Sequence, residues 1–289
     1  MADITPMVHR LTRVIGSIGL VCVLAGALGR ADAPFAVLAP GLEMATFTPD
    51  HRGAVRSPMS RDRTGVTILR IDPAQYEFCL LAQSNGDAPT NLSVAEWARR
   101  HHLVVALNAG MYNLDQRSHV GYMKVGDHIN CRFPNPYQSA AAFGPRSDSL
   151  PPFRIYDLDE DSLRGLAASY TYVMQNLRLI KRPAENRWQP QDKRWRGLAL
   201  GEDTQGRALV ILTRSAWSMY DLNEFLLSLP IGIVAAQHLE GGSEAQLFVR
   251  TADTTFAIVG SYDTSLDDDD GQWAGWPVPN VIGIAPKTR

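Results

Sequence analysis

One local grammar, used twice, constrains the fold of this chain more than anything else in it. A strand is followed by a serine-capped helix and then by an apolar strand that ends in one polar side chain and small residues. In the first unit Tyr76 to Ala82 reads as a strand. Ser93 and Glu96 then form a capping box in "SVAEWARRH", with Val94, Trp97 and Ala98 as its apolar side, and "LVVALNAG" is the second strand. In the second unit "RALVILTR" is the strand, Ser218 and Asp221 cap "SMYDLNEFLLSLP", and "GIVAAQHLEGG" follows. Leu222, Phe225, Leu226 and Leu229 recur there at helical spacing, and Pro230 stops the helix. The units therefore end in Asn108-Ala109-Gly110 and Glu240-Gly241-Gly242. Ligands gather at the carboxyl ends of strands, where glycine lets a substrate approach the backbone, so the two ends are expected to converge. The competing reading is that each glycine only serves a turn.

The remaining chain supplies more strands. Val66 and Ile68, the turn signal "DPAQ" and Tyr76 to Ala82 predict a hairpin, and "GYMKVGDHIN", "SAAAFGP", "TTFAIVGSY" and "VPNVIGIAP" read as further strands. Hairpins and crossovers together predict an α+β fold: a mixed β-sheet core with a few short helices, in a single domain. An apolar fraction of 45% in 289 residues suffices for that core. The domain is expected over residues 64–289, after an irregular lead-in at 34–63 that holds one strand, Leu42 to Thr48. Residues 1–33 read as an export signal: Arg10 and Arg13 precede the apolar run "VIGSIGLVCVLAGALG", and "ADA" offers small residues for cleavage. That run is too short and too rich in Gly and Ser to span a membrane, which needs roughly 20 residues, so no stable membrane insertion is expected after cleavage. The protein is expected to be periplasmic or secreted. In such a compartment Cys79 and Cys131 are as well suited to a disulfide as to two separate buried thiols.

Charge excludes one class of partner. With 28 basic against 30 acidic residues and no Lys/Arg run, the chain has no surplus to neutralise a nucleic-acid backbone. Among residues suited to chemistry, strand alternation puts Ala236, His238 and Glu240 on one face, with an imidazole beside the carboxylate. Two such groups are too few to assign a metal, and metal dependence stays open. "GGSEA" comes near a nucleophile elbow at Ser243, but the catalytic His of that class follows its Ser, and the last His here is His238. Asp267 to Asp270 lack the interleaved spacing of a calcium loop and read as a solvated acidic loop, with Trp273 and Trp276 beside them. Arg178, in "MQNLRLI", suits phosphate binding or a structural ion pair equally well.

These segments, in this order, resemble the phosphodiester glycosidase family. "ALNAGMY" is similar to the family's Asn-Gly-Gly-Phe-Phe segment; it keeps Asn108 and Gly110 and departs at Ala109, Met111 and Tyr112. "GYMKVGDHIN" is similar to the hairpin that follows. "VMQNLRLI" keeps Gln175, Arg178 and Leu179 of a Gln-Ser-Gly-Pro-Arg-Leu segment. "LEGGSEAQLFV" resembles a Leu-Asp-Gly-Gly-Gly-Ser-Ser segment, with Glu240 where many members have Asp. The family's Arg before "ALG" is here Gly197, with Arg196 one place early, which leaves open which arginine meets phosphate. The resemblance runs from about Val66 to Ile284.

The resemblance implies an exported hydrolase that cleaves the glycosidic bond of a sugar 1-phosphodiester, giving free sugar and a phosphomonoester. Glu240 is expected to steady the oxocarbenium-like centre or activate water. Arg178 is expected to grip the phosphate, and Asn108 and Gln175 to orient the substrate. Gly110, Gly241, Gly242, His238 and Glu244 complete the expected substrate-binding set. The partner is a phosphate-linked sugar or glycan, and no cofactor is expected. The alternatives are a non-catalytic envelope protein that binds the same kind of glycan, and a phosphodiesterase that cleaves the P–O bond.

Overall fold

The computed structural model describes Met1 and residues 35–49, 65–260 and 275–288. The expected export signal, the acidic loop Asp267 to Asp270 and Trp273 lie outside the described residues. In chain order the elements are β1 (Ala36–Ala39), β2 (Leu42–Phe47), β3 (Val66–Ile71), β4 (Tyr76–Ala82), α1 (Val94–Arg100), β5 (Val105–Asn108), β6 (Met123–Val125) and β7 (His128–Cys131). There follow β8 (Ser139–Pro145), β9 (Phe153–Asp157), α2 (Leu163–Ser169), β10 (Tyr170–Asn176), β11 (Arg178–Lys181), β12 (Glu185–Asn186) and β13 (Trp195–Asp203). The chain ends with β14 (Ala208–Trp217), α3 (Met219–Ser228), β15 (Ile233–Gly241), β16 (Gln246–Arg250), β17 (Thr255–Val259) and β18 (Asn280–Pro286).

The strands form three sheets, ordered β1-β2-β3-β14-β13-β15-β11-β12, β7-β6-β10-β8-β9 and β17-β16-β5-β18-β4. This is the α+β architecture expected from the sequence, a sheet core with three short helices, and residues 33–289 form one compact unit. Each named pairing between described strands is antiparallel. One central core takes side chains from all three sheets, among them Leu69, Leu198 and Leu239, Phe143 and Met174, and Leu107 and Ile282.

Each helix seals the outer face of one sheet. Trp97 of α1 packs with Phe248 and Val281, Leu222, Phe225 and Leu226 of α3 with Ile211 and Ala236, and Leu166 of α2 with Ala142 and Val173. Local chemistry starts them. Ser93 Oγ accepts from Glu96 N at 3.4 Å while the Glu96 carboxylate takes the Ser93 N–H at 2.8 Å, and Ser218 Oγ accepts from Asp221 N at 3.0 Å.

The two repeated units share a topology as well as a grammar. β4 and β5 both pair with β18, and β14 and β15 both pair with β13, so each helix crosses over one antiparallel strand. The predicted hairpin does not form. The turn is present, with Gln75 N donating to Asp72 O at 3.0 Å, but β3 is held between β2 and β14 while β4 enters another sheet against β18. With both edges of β3 already paired, β4 has no ladder to join. Within the lead-in, β1 and β2 extend the first sheet beside β3.

Candidate active site

β15 carries the candidate acid to the end of the first sheet. Its register against β13 slips at Leu239: Glu240 lies opposite Leu198, and His238 opposite Ala199. Directly opposed residues share a face, so this bulge turns Glu240 to the inner side with Leu198 and leaves His238 on the side of α3 with Ala199. The imidazole is therefore not beside the carboxylate, contrary to simple alternation. His238 instead lies among Trp217, Met219 and Leu222. An added Cβ on Gly197 would come within 3.0 Å of the His238 ring and of the Glu240 carbonyl, so a glycine here makes room for both.

Glu240 is half-buried, and its Oε1 accepts from the Gly241 N–H at 2.9 Å. Burial pushes its carboxyl up to about 7; the Gly241 N–H partly offsets this, and the charge of Glu244 adds to it. Beyond it, Gly242 has a φ of +63°, which suits glycine, and starts a short 3-10 turn in which Ser243 Oγ donates to Glu244 at 3.1 Å. Ser243 is thus bonded within its own turn. Arg196 and Arg214 stand two residues from Leu198 and Leu212, a cross-strand pair in the row of Glu240, so both arginines share its face. They line a small cleft with Leu212, Ile258, Val259 and Gly260. An added Cβ on Gly241 would meet the Arg196 carbonyl at 2.8 Å, so the glutamate's loop and the arginine strand touch.

The other strand end is closed. Asn108 is 1% exposed, and its Oδ1 accepts from Gln246 N at 3.2 Å, which ties β5 to the segment leaving the Glu240 turn. The start of β16, six residues past Glu240, therefore lies beside the end of β5. Gly110, at a φ of +140°, lies so close to Asn176 and His119 that a Cβ would come within 2.5 Å of Asn176 Oδ1 and 2.7 Å of His119 Nε2. Asn176 Nδ2 donates to the Ala109 carbonyl at 3.1 Å. His119 is fully buried, and burial pushes its imidazole down to about 4. Gln175 is a clamp: its Oε1 accepts from Tyr122 N and Asn135 N, and its Nε2 donates to the carbonyls of Asn135 and Tyr137. Its four bonds shape the 122–137 segment.

Arg178 is engaged as the ion-pair reading has it. Its Nη1 donates to both Asp157 oxygens at 2.9 Å and to Asp159 at 2.7 Å, and Lys181 joins the same carboxylates and Glu160. These acids hold the Arg178 guanidinium above its ordinary value, although burial works against them. Cys79 and Cys131 are free thiols in different sheets. Cys79 faces the Gly283 carbonyl, and burial pushes it up to about 12. Trp276 is exposed, and its carbonyl accepts from Gln246 Nε2 at 2.7 Å. No group of three or more His, Cys, Asp or Glu suited to a metal ion occurs among the described residues.

Sequence reasoning missed His119, Asn176 and Arg214. Alternation along "LVILTR" could have put Arg214 on the face of Leu212. Nothing local distinguishes His119, whose neighbours come from β10 and from the Gly110 backbone.

The phosphodiester glycosidase family model matches residues 101–285, a span that includes Glu240, Arg196 and Arg214. The fold is similar to the catalytic domain of zebrafish N-acetylglucosamine-1-phosphodiester alpha-N-acetylglucosaminidase, described as auto-inhibited by its pro-peptide. That match has 12% identity and a TM-score of 0.59, covering 86% of this chain and 85% of that one. A hypothetical protein from Synechocystis is similar at 14% identity and a TM-score of 0.53, over 88% of this chain and 64% of that one. At such identities the likeness is one of fold. No curated protein matches the chain. No helix among the described residues is long and apolar enough to cross a membrane. The family match spans well over half the sequence, and the chain belongs to the phosphodiester glycosidase family.

Proposed function

We propose that the protein hydrolyses the bond between the anomeric carbon of a sugar and a phosphodiester oxygen, releasing the sugar and leaving a phosphomonoester. The observation that carries this reading is Glu240, a carboxyl with a near-neutral pKa at an open strand end whose face it shares with Arg196 and Arg214. The name of the zebrafish relative, which describes a sugar 1-phosphodiester, supports the same substrate class. A phosphomonoester leaves an anomeric carbon readily, so the step asks little of a general acid. It asks more of a carboxylate that meets the positive charge growing on the ring carbon or takes a proton from water. In the proposed step, water oxygen bonds to the anomeric carbon and its proton passes to ionised Glu240. The bond from that carbon to oxygen breaks, and its electron pair leaves with the phosphate.

Arg196 and Arg214 meet the diester phosphate, for which the guanidinium fork is suited. This role moves away from Arg178, whose Nη1 is spent on Asp157 and Asp159. Asn108, Gln175 and Gly110 hold the neighbouring strand end rather than touch substrate. Residues 1–33 act as an export signal, and the domain works outside the cytoplasm.

Phosphorus NMR with sugar analysis on a panel of sugar 1-phosphodiesters tests the reading. Free sugar and phosphomonoester from the wild type, with little from Glu240→Gln, are expected. Sugar phosphate among the products would point to P–O cleavage. Saturable binding without turnover would point to a binding protein.

A further inference from the structure

Exposed apolar side chains are not spread evenly over the surface. Besides Met1, the large ones among the described residues are Val37, Leu114, Ile129, Phe133, Trp195 and Trp276. Leu114, Ile129 and Phe133 fall within one stretch of twenty residues, on two segments that are stitched together. Asn130 Nδ2 donates to the Arg117 carbonyl at 3.0 Å, Asn130 Oδ1 accepts from His119 N at 2.7 Å, and Asn135 Nδ2 donates to the Val120 carbonyl at 3.2 Å. Isolated exposed apolar residues need no explanation, but a cluster of them marks a surface that meets a partner.

Both segments are held firmly. Leu114 is fully exposed at the tip of a turn closed by Gln116 N donating to Asn113 O at 2.9 Å. The Asp115 carboxylate is folded into that turn, where it accepts from the N–H groups of Arg117 and Ser118 at 3.0 Å and from the Ser118 hydroxyl at 2.7 Å. Phe133 is 72% exposed and is followed by Pro134 and Pro136, both exposed as well. Between the prolines Asn135 is clamped by Gln175, which accepts from its N–H at 3.1 Å and donates to its carbonyl at 2.8 Å. Side chains presented from such fixed loops lose little further freedom on binding. The second segment leads into Ser139, whose Oγ donates to Gln237 Oε1 at 3.2 Å, three residues before Glu240 on β15.

We propose that this face docks reversibly on an anionic lipid surface. Each loop tip has an exposed arginine close by in the chain, Arg117 three residues after Leu114 and Arg132 next to Phe133. Asp115 is turned inward, and residues 128–137 include no acidic side chain. Positive charge beside projecting apolar groups is the pattern that meets lipid phosphates with the one and the acyl boundary with the other. Side chains that project from loop tips suit the fluid edge of a bilayer better than the packed core of a protein interface. Two tips make a surface contact, not a membrane span. The docking does not rest on the hydrolysis reading; with that reading, it would set the end of β15 near diesters borne by lipid.

The test is flotation of residues 34–289 with vesicles of equimolar phosphatidylcholine and phosphatidylglycerol, beside vesicles of phosphatidylcholine alone. Circular dichroism checks that each variant is folded. Binding is expected to the anionic vesicles and to weaken as salt is added. Leu114→Ser combined with Phe133→Ser should weaken it at least tenfold, and Arg132→Ala about fivefold at low salt. Trp195→Ala, which removes an apolar side chain exposed elsewhere, and Glu240→Gln should bind as the wild type does. The proposal is overturned by no binding up to millimolar lipid, by equal binding of the double serine variant, or by equal binding to phosphatidylcholine alone. Self-association of the wild type in sedimentation, lost in the double serine variant, would assign the face to a second copy of the chain and overturn it as well. Failure of turnover with vesicle binding intact would count against the hydrolysis reading and leave the docking face standing.

Discussion

The ends of β5 and β15 are spelled alike, with an apolar strand, one polar residue and small residues after it, yet they fold into opposite environments. At Asn108-Ala109-Gly110 the chain is buried throughout, and the absent side chain of Gly110 is what lets Asn176 and His119 close over it. At Glu240-Gly241-Gly242 the glutamate stays partly open, its pKa raised by burial, on a strand face it shares with two arginines. Glycine thus serves close packing at one end and a tight turn at the other. In the proposed function the sealed end is scaffold and the open end carries the chemistry. They are joined through the hydrogen bond from Gln246 to Asn108.

The widest gap between the two ends should come from Glu240→Gln, with turnover down by about 10²–10³-fold, the size of losing one transition-state interaction. Folding should be unharmed, as thermal unfolding would record. A large loss of stability instead would make Glu240 part of the scaffold. In the wild type, kcat/KM should rise as pH passes about 7, where Glu240 ionises. A falling profile would assign it the role of acid.

Gly110→Ala should do the reverse, costing about 3 kcal/mol of stability through its clash and its left-handed φ. Any folded fraction, isolated by urea titration, should retain near-normal kcat. The arginines sharpen the contrast at smaller scale. Arg178→Ala should cost about 2 kcal/mol of stability, because Asp157 is left buried with Lys181 as its remaining ion-pair partner, and should leave KM for diesters unchanged. Arg196→Ala should raise KM for diesters about tenfold. The opposite pattern would return phosphate to Arg178.

The smallest effect is a pH slope. His119 and His238 have folded pKa values depressed to about 4, so each contributes stability that is whole above the unfolded value near 6.5. That stability is lost as pH falls toward 4. From pH 7 to 5.5 the cost is about 1 kcal/mol for each imidazole. Glu240 has the opposite slope: its raised pKa lowers stability as pH rises from the ordinary carboxylate range to 7. Urea unfolding of Glu240→Gln therefore isolates the histidines, and a flat profile there would mean that neither imidazole is sealed.

What could be read from the sequence was local. Ser93, Glu96, Ser218 and Asp221 mark helix starts because a cap is a contact between residues three apart, and the apolar spacing of Leu222, Phe225 and Leu226 names the face that packs. The helix α2 was not legible in the Pro- and Asp-rich segment before it; it starts on Ser162 and buries little beyond Leu166. A carboxylate at the end of β15 was legible as well, since it stands in the sequence between an apolar strand and two glycines. Partners set by other strands could not be read. The turn at Asp72 to Gln75 is right, but whether it closes a hairpin depends on the claims of β2, β14 and β18.

The order of apolar strands and capped helices therefore determined the fold class, and the resemblance of the segments around Asn108, Arg178 and Glu240 pointed to the family and the residues worth testing. Only the tertiary structure decided their surroundings. A single slipped position at Leu239 sends His238 and Glu240 to opposite faces of one sheet, and Asp157 and Asp159, some twenty positions away, engage Arg178. Register and charge pairing are settled by whichever neighbour a strand meets, and that neighbour is chosen by burying the common core, not by the residues next along the chain.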